Sequence, residues 1–397
     1  MAFGDFTVDR NSAKYVLGSG GDIISYATDE PAFEFNADGS YKGLLVEPAA
    51  TNLCLQSEDI STTWGPSGAT PTQSTEETPD GDTTNKYIKL VDNGSTGTGS
   101  VFVQQTITVV AETKYTASVF LKKSGLDWAR LMAVNTGGVD NDPNQFFDLD
   151  NGVTGTGSAG IQDATIEAYP NDWYRCTITW TQGAGDTSFN FRIQVADGDN
   201  DYTVDLDGTS SIFVWGAQVE TGPIATSYIP TTTASVTRNK DDISLTSASS
   251  LIGQTEGTLY FEGTMRAYLT GGSNYRALLS IDGSGGTIRI LREPTSDDKF
   301  FAEKIGGSGV LYISSGSVTG TFKCALAYKN NDYELYVNGV SKGFDTSAGV
   351  PSPFDEIGLG QDLTVAGSAR IWNDHIRAVA LYPKRLSDAE CQALTTL

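Results

Sequence analysis

Trp173-Tyr174-Arg175-Cys176-Thr177-Ile178-Thr179-Trp180 alternates along its length: Tyr, Cys, Ile and Trp stand at the even positions, and Arg, Thr and Thr fall between them. Successive side chains of a β-strand point to opposite faces, so this period of two reads as a strand with one buried face. Working outward, the same pattern recurs at residues 86–91, 100–105, 114–121, 128–134, 189–195 and 212–220. It continues at 257–265, 276–281, 321–328 and 333–337. Turn residues separate the runs. Asp38-Gly39 and Asn338-Gly339 are two-residue hairpin signals, and Lys329-Asn330-Asn331-Asp332 is a polar turn. One helix is predicted, near the end: Ser387 caps it, Glu390 completes a capping box, and Leu394 follows. The fold class expected is all-β, two tandem antiparallel β-sandwiches of jelly-roll type with an extended N-terminal leader and one short C-terminal helix.

At 397 residues the chain is too long for one ordinary core. Its 44 glycines favour short strands joined by turns over long helices. We divide it into a leader with short strands at 1–55, serving as an assembly segment, and a first sandwich at 56–230. A linker and entry strand at 231–256 and a second sandwich at 257–397 follow. The composition shift that marks the boundary starts at Gly222-Pro223 and runs to about residue 240.

The formal net charge of −23 excludes nucleic acid and anionic membrane surfaces as partners, because both need clustered Lys and Arg. Cys54, Cys176, Cys324 and Cys391 lie far apart with no Cys-x-x-Cys, which excludes a zinc site and a disulfide framework. They are expected to be small buried apolar residues of a protein folded in a reducing cytoplasm. The opening Met1-Ala2-Phe3-Gly4-Asp5-Phe6 has no secretory pattern, and no apolar run is long enough to cross a membrane. Export, where it happens, is expected through assembly into a released particle.

Several segments carry a family resemblance. They are Gly43-Leu44-Leu45-Val46-Glu47-Pro48-Ala49-Ala50-Thr51-Asn52-Leu53, Ser57-Glu58-Asp59, Trp173-Tyr174-Arg175-Cys176, Trp215-Gly216-Ala217-Gln218-Val219-Glu220 and Thr226-Ser227-Tyr228-Ile229-Pro230-Thr231. From about Phe6 to Arg238 the chain resembles the carbohydrate-binding-module-like region of bacteriophage fibre, spike and head-fibre proteins. From about 257 onward it resembles a concanavalin A-like, laminin-G-like sandwich. That second likeness rests on Leu335-Tyr336-Val337-Asn338-Gly339, Ile376-Arg377-Ala378-Val379-Ala380-Leu381-Tyr382 and Leu386-Ser387-Asp388-Ala389-Glu390. The two cover nearly the whole chain. They imply a virion protein, commonly trimeric, that binds sugar or serves as architecture. The segment before the first match is very short, so attachment to the particle is expected to use a module or a self-assembled oligomer.

No Gly-x-Ser-x-Gly, His-Glu-x-x-His, phosphate-loop or Glu-x-Asp-x-x-Glu pattern occurs, and the single His375 is read as an ordinary strand-start residue. We expect no catalytic residues. Sugar binding needs a flat ring against a pyranose face with carboxylates and amides on its hydroxyls. Trp173, Trp180 and Trp215 lie within alternating strands and are assigned to cores. Trp64, Trp128 and Trp372 lie at loops or strand starts and are the sugar-binding candidates. Asp197, Asp199 and Asp201 imitate the start of an EF-hand loop and are the candidate calcium ligands. They lack the turn Gly and distal Glu of that motif. Asp140 and Asp142, continuing to Asp148 and Asp150, form a second acidic cluster. No cofactor is expected apart from calcium.

The expected function is a non-enzymatic virion structural protein, fibre, spike or head decoration, made in the host cytoplasm. It would mediate host-surface glycan attachment as a homotrimer among other virion proteins. A polysaccharide-degrading tailspike, glycosidase or lyase, is the rival. A secreted bacterial carbohydrate-binding protein is disfavoured by the missing signal peptide.

Overall fold

The structure, a computed structural model, describes residues 5–135, 142–265, 275–293, 299–306, 312–318, 320–363 and 370–397. It is all-β, with one helix among the described residues, Asp388–Thr395, opened by the Ser387/Glu390 capping box. The strands form two antiparallel sandwiches, so the fold class read from the alternation holds.

The middle sandwich packs two six-stranded sheets, counted among the described residues. In one, Trp128–Asn135 pairs with Ser188–Ala196, which pairs with Val101–Thr108. In the other, Tyr174–Thr181 lies between Asp163–Ala168 and Lys114–Lys123, with Ser211–Thr221 beyond. Cys176, Ile178 and Trp180 point into the core between the sheets, beside Leu131, Phe191 and Val214. Burying such side chains stabilises the sandwich by roughly 1.5–3 kcal/mol each.

The second sandwich is not a continuous stretch of chain. Its two sheets take strands from both ends of the sequence, and the separate leader expected over 1–55 is corrected accordingly. Thr7–Asp9 pairs with Asp242–Leu245 at the edge of one sheet. Tyr41–Val46 pairs with Asp374–Tyr382 in the other, in the register Leu44 to Ile376 and Val46 to Asp374. The cause is burial: Val8, Leu44 and Val46 join the core of Phe261, Leu326, Trp372 and Ile376. On the opposite face Leu45 packs with Val16 and Ala32, so Tyr41–Val46 is covered on both sides. Gly43 is required here. It sits at φ +149°, and a Cβ would come within 2.8 Å of His375 Cβ.

The Gly/Pro/Thr stretch beginning at residue 222 is not an open linker either. Thr226, Ser227, Tyr228 and Ile229 are buried. Tyr228 joins Phe120, Trp173 and Trp215 in an aromatic cluster on the outer face of the middle sandwich, closed by Leu17 and Ile23. Asn52 ties these parts together. Its amide donates to the carbonyls of Ala217 and Ile229 at 3.0 and 2.8 Å, and its oxygen accepts from the backbone N–H groups of Cys54 and Val219. Every polar atom of this buried side chain is thereby satisfied.

Candidate functional site

The structure separates the sugar-binding candidates. Trp64 is 3% exposed, meets the Phe191 ring edge-on with centroids 6.2 Å apart, and donates its Nε1–H to the Gln56 carbonyl. Trp372 is fully buried between Phe261 and Phe322. Both rings belong to cores, which corrects their assignment to loop-edge sites. The local loop composition misled because rings from distant strands cover both side chains. Trp128 is half-buried against Gly155. Trp180 lies in the core between the sheets, as its strand phase requires, while Trp173 and Trp215 are buried in the outer-face cluster with Tyr228.

The acidic loops are also used internally. Asp199 accepts from the backbone N–H and hydroxyl of Thr156 at 2.6 and 2.9 Å, and Asp201 accepts from the Thr203 N–H. Asp197 is exposed. Among the described residues no group of His, Cys, Asp or Glu is arranged to hold a metal ion, so the calcium assignment of Asp197, Asp199 and Asp201 finds no support in the geometry. In the second cluster Asp140 lies outside the described residues, Asp142 accepts from the Asn135 backbone N–H, Asp148 caps a local turn, and Asp150 pairs with Lys123.

Among the concave surfaces of the described residues, two are lined by several charged side chains. The first is an open groove of about 540 Å³ on the middle sandwich, with Tyr87, Glu58, Asp59, Asn85, Lys86 and Val236 in its lining. Tyr87 stands at the outward phase of strand Lys86–Asp92 and is 37% exposed. Burial raises the Glu58 pKa above its ordinary value, against the opposing pull of Lys86. Lys86 reaches Asp82 at 2.9 Å and Glu58 at 3.6 Å. An aromatic face, carboxylates, an amide and an ammonium thus share one open surface.

The second is a cleft of about 310 Å³ at the junction of the sandwiches. One wall is the outer face of strands Asp163–Ala168 and Tyr174–Thr181, presenting Asp163, Thr165, Glu167, Arg175 and Thr177. The other wall includes Glu34, Leu45, Glu47 and residues 223–227. Arg175 is 8% exposed. Its Nη2 donates to Ser118 Oγ and the Thr226 carbonyl, and its guanidinium lies over the Phe120 ring. Lys42 bridges the walls, 2.7 Å from Glu167 and 3.5 Å from Glu34.

Behind the cleft lie two buried charge clusters. In one, Arg10, Lys14 and Arg238 surround Asp241 and Glu47. Burial works against the Glu47 charge, yet Lys14 and Arg238 hold its carboxyl well below the usual range. In the other, the ring nitrogens of His375 lie 2.6 Å from Glu34 and 3.0 Å from Asp374. Burial disfavours its cation, but the Glu34 charge and the hydrogen bonds to both carboxylates raise its pKa overall. Reading His375 as an ordinary strand residue missed this arrangement, since Glu34 is 341 positions away. The Tyr87 groove had a signal in the sequence, an aromatic residue out of phase with Ile88 and Leu90.

No family model matches this chain, and no curated protein does. Among solved structures it is similar to domains LG4-5 of the mouse laminin alpha1 chain. That likeness has 11% identity and TM-score 0.27, and covers 89% of this chain and 95% of that one. It is also similar to a Trypanosoma rangeli sialidase, at 12% identity and TM-score 0.30, covering 77% of this chain and 60% of that one. A GH43 protein from Bacillus licheniformis shows 11% identity and TM-score 0.19 over 92% of this chain and 72% of its own.

Proposed function

We propose that this chain is a non-enzymatic structural protein of a bacteriophage virion, displayed as a fibre, spike or head decoration, that attaches to host-surface glycans. The observation that carries the glycan reading is the Tyr87 groove. Its exposed ring offers a stacking face, and Glu58, Asp59, Asn85 and Lys86 offer partners for hydroxyls. The virion reading rests on the resemblance of residues 43–53, 173–176, 215–220 and 226–231 to the phage fibre family. Weak affinity at one shallow groove suits a homotrimer, in which linked copies raise avidity. The edge strand Val340–Asp345, with Phe344 72% exposed, offers a surface for such contacts.

The groups in the junction cleft favour binding over cleavage. A glycosidase needs one protonated carboxyl and one ionised carboxylate about 5–9.5 Å apart. Lys42 sits against both Glu34 and Glu167 and favours the ionised form of each. Asp163, whose pKa burial raises, lies four residues from Glu167 on the same strand, about 13 Å along it.

Adsorption of the purified protein to host envelope polysaccharide tests the reading. Tyr87→Ala is expected to weaken adsorption about tenfold, ~1.4 kcal/mol, with an unchanged melting temperature. Steady release of reducing sugar or unsaturated product, abolished by one carboxylate substitution, would promote the tailspike reading instead.

A further inference from the structure

We infer that the cleft between the sandwiches is a second binding site, specific for a neutral, hydroxyl-rich ring such as one uncharged pyranose unit of a glycan. The assignment deepens the glycan reading and rests on it. Its first support is an unsatisfied donor. The Nε of Arg175 has no hydrogen-bond partner among the described residues, although the residue is more than nine-tenths buried and lines the cleft. A buried donor left unpaired is unfavourable, and a ligand oxygen reached by a small shift of the side chain would pair it.

The charges select the ligand. Glu34, Glu47, Asp163 and Glu167 line the cleft with Arg175, but Lys42 pairs with Glu34 and Glu167, and Lys14 and Arg238 pair with Glu47, so the negative charge is largely compensated. An anionic sugar would meet the Asp163 carboxylate, and the compensated lining offers a cationic ligand little surplus negative charge. A neutral polyol both accepts and donates. It can accept from Arg175 Nε–H while giving its hydroxyl protons to Asp163 and Glu167, with Thr165 and Thr177 serving in either sense. Leu45, Pro223, Ile224 and Ala225 supply apolar lining for the C–H face of a ring. The volume lies at the small end of the roughly 300–1,000 Å³ range of ligand pockets, which limits the occupant to one or two rings. Because the walls come from both sandwiches, an occupant would also tie them together.

Saturation-transfer NMR with the methyl glycosides of glucose, galactose, mannose and N-acetylglucosamine, against glucuronic acid, tests this on the full chain. Thr165 is exposed on strand Asp163–Ala168, so Thr165→Trp should plug the cleft without disturbing a core. The expected result is that a neutral glycoside binds the wild type and Tyr87→Ala alike and binds Thr165→Trp at least tenfold more weakly. Arg175→Lys keeps the charge but removes the guanidinium donor. It should weaken the same binding, and it serves as the second variant if Thr165→Trp fails to fold. Binding that survives Thr165→Trp or Arg175→Lys but is lost in Tyr87→Ala overturns the cleft and leaves the groove standing. Binding of glucuronic acid as tight as that of the neutral glycosides overturns the selectivity. Wild-type protein that binds no saccharide, in this experiment and in adsorption, overturns the glycan reading and the cleft with it.

Discussion

Lys14 Nζ lies 2.6 Å from Asp241 Oδ2, and both side chains are buried, although 227 positions separate them in the chain. Asp241 also holds Arg10 at 2.9 Å and accepts from the Glu47 backbone N–H at 2.8 Å. Asp241→Ala would leave two buried cations short of a partner. Removing one member of a buried pair costs about 3–5 kcal/mol, so the urea midpoint should fall by that equivalent. A loss no larger than that of a surface substitution would show that the cluster does not join the N-terminal segment to the entry of the second sandwich.

Stability should depend on the protonation of His375. Its folded pKa is raised above the ordinary 6.5 by Glu34 and Asp374 despite burial. Its contribution is therefore fully present below about pH 6.5 and is lost as pH rises through the raised value. Urea titrations of wild type and His375→Gln should differ most at pH 6 and converge in alkaline buffer. A gap that widens with pH would contradict the arrangement.

Residues 232–237 are exposed and are the point where proteinase K should nick the 222–240 stretch. The nicked protein should run as two fragments on a denaturing gel and elute as one species in native buffer. Strands Thr7–Asp9 and Tyr41–Val46 would hold the N-terminal fragment within the sheets of the C-terminal sandwich. Separate elution would restore a beads-on-a-string organisation.

Trp372→Ala should destabilise the protein by about 3–5 kcal/mol while leaving saccharide binding by the folded protein unchanged, because its ring fills the core beside Phe261 and Phe322. Thermal melts followed by glycan titration below the transition check both halves. Binding lost with little change in melting temperature would return Trp372 to the list of binding residues.

Local pattern in the sequence determined the strands and the helix. The alternation at 173–180, the turn Asn338-Gly339 and the Ser387/Glu390 box act over neighbouring residues, where side-chain phase and backbone hydrogen bonds decide the conformation. It also determined that Trp180 faces the core between the sheets, whereas Trp173 and Trp215 are buried on the outer face by Tyr228, Leu17 and Ile23. The tertiary structure decided which surfaces were left over. Trp64 and Trp372 look like loop residues locally, yet apolar neighbours distant in sequence bury them. Arg175, Thr177 and Thr179 have the phase of solvent-facing residues, and a lone sandwich would expose them. They line a cleft because Tyr41–Val46 pairs with Asp374–Tyr382 and brings Glu34 opposite them. Charge and phase are written in sequence order, but pairing between the first and last strands depends on burying Leu44 and Val46, a gain realised only when the whole sandwich closes.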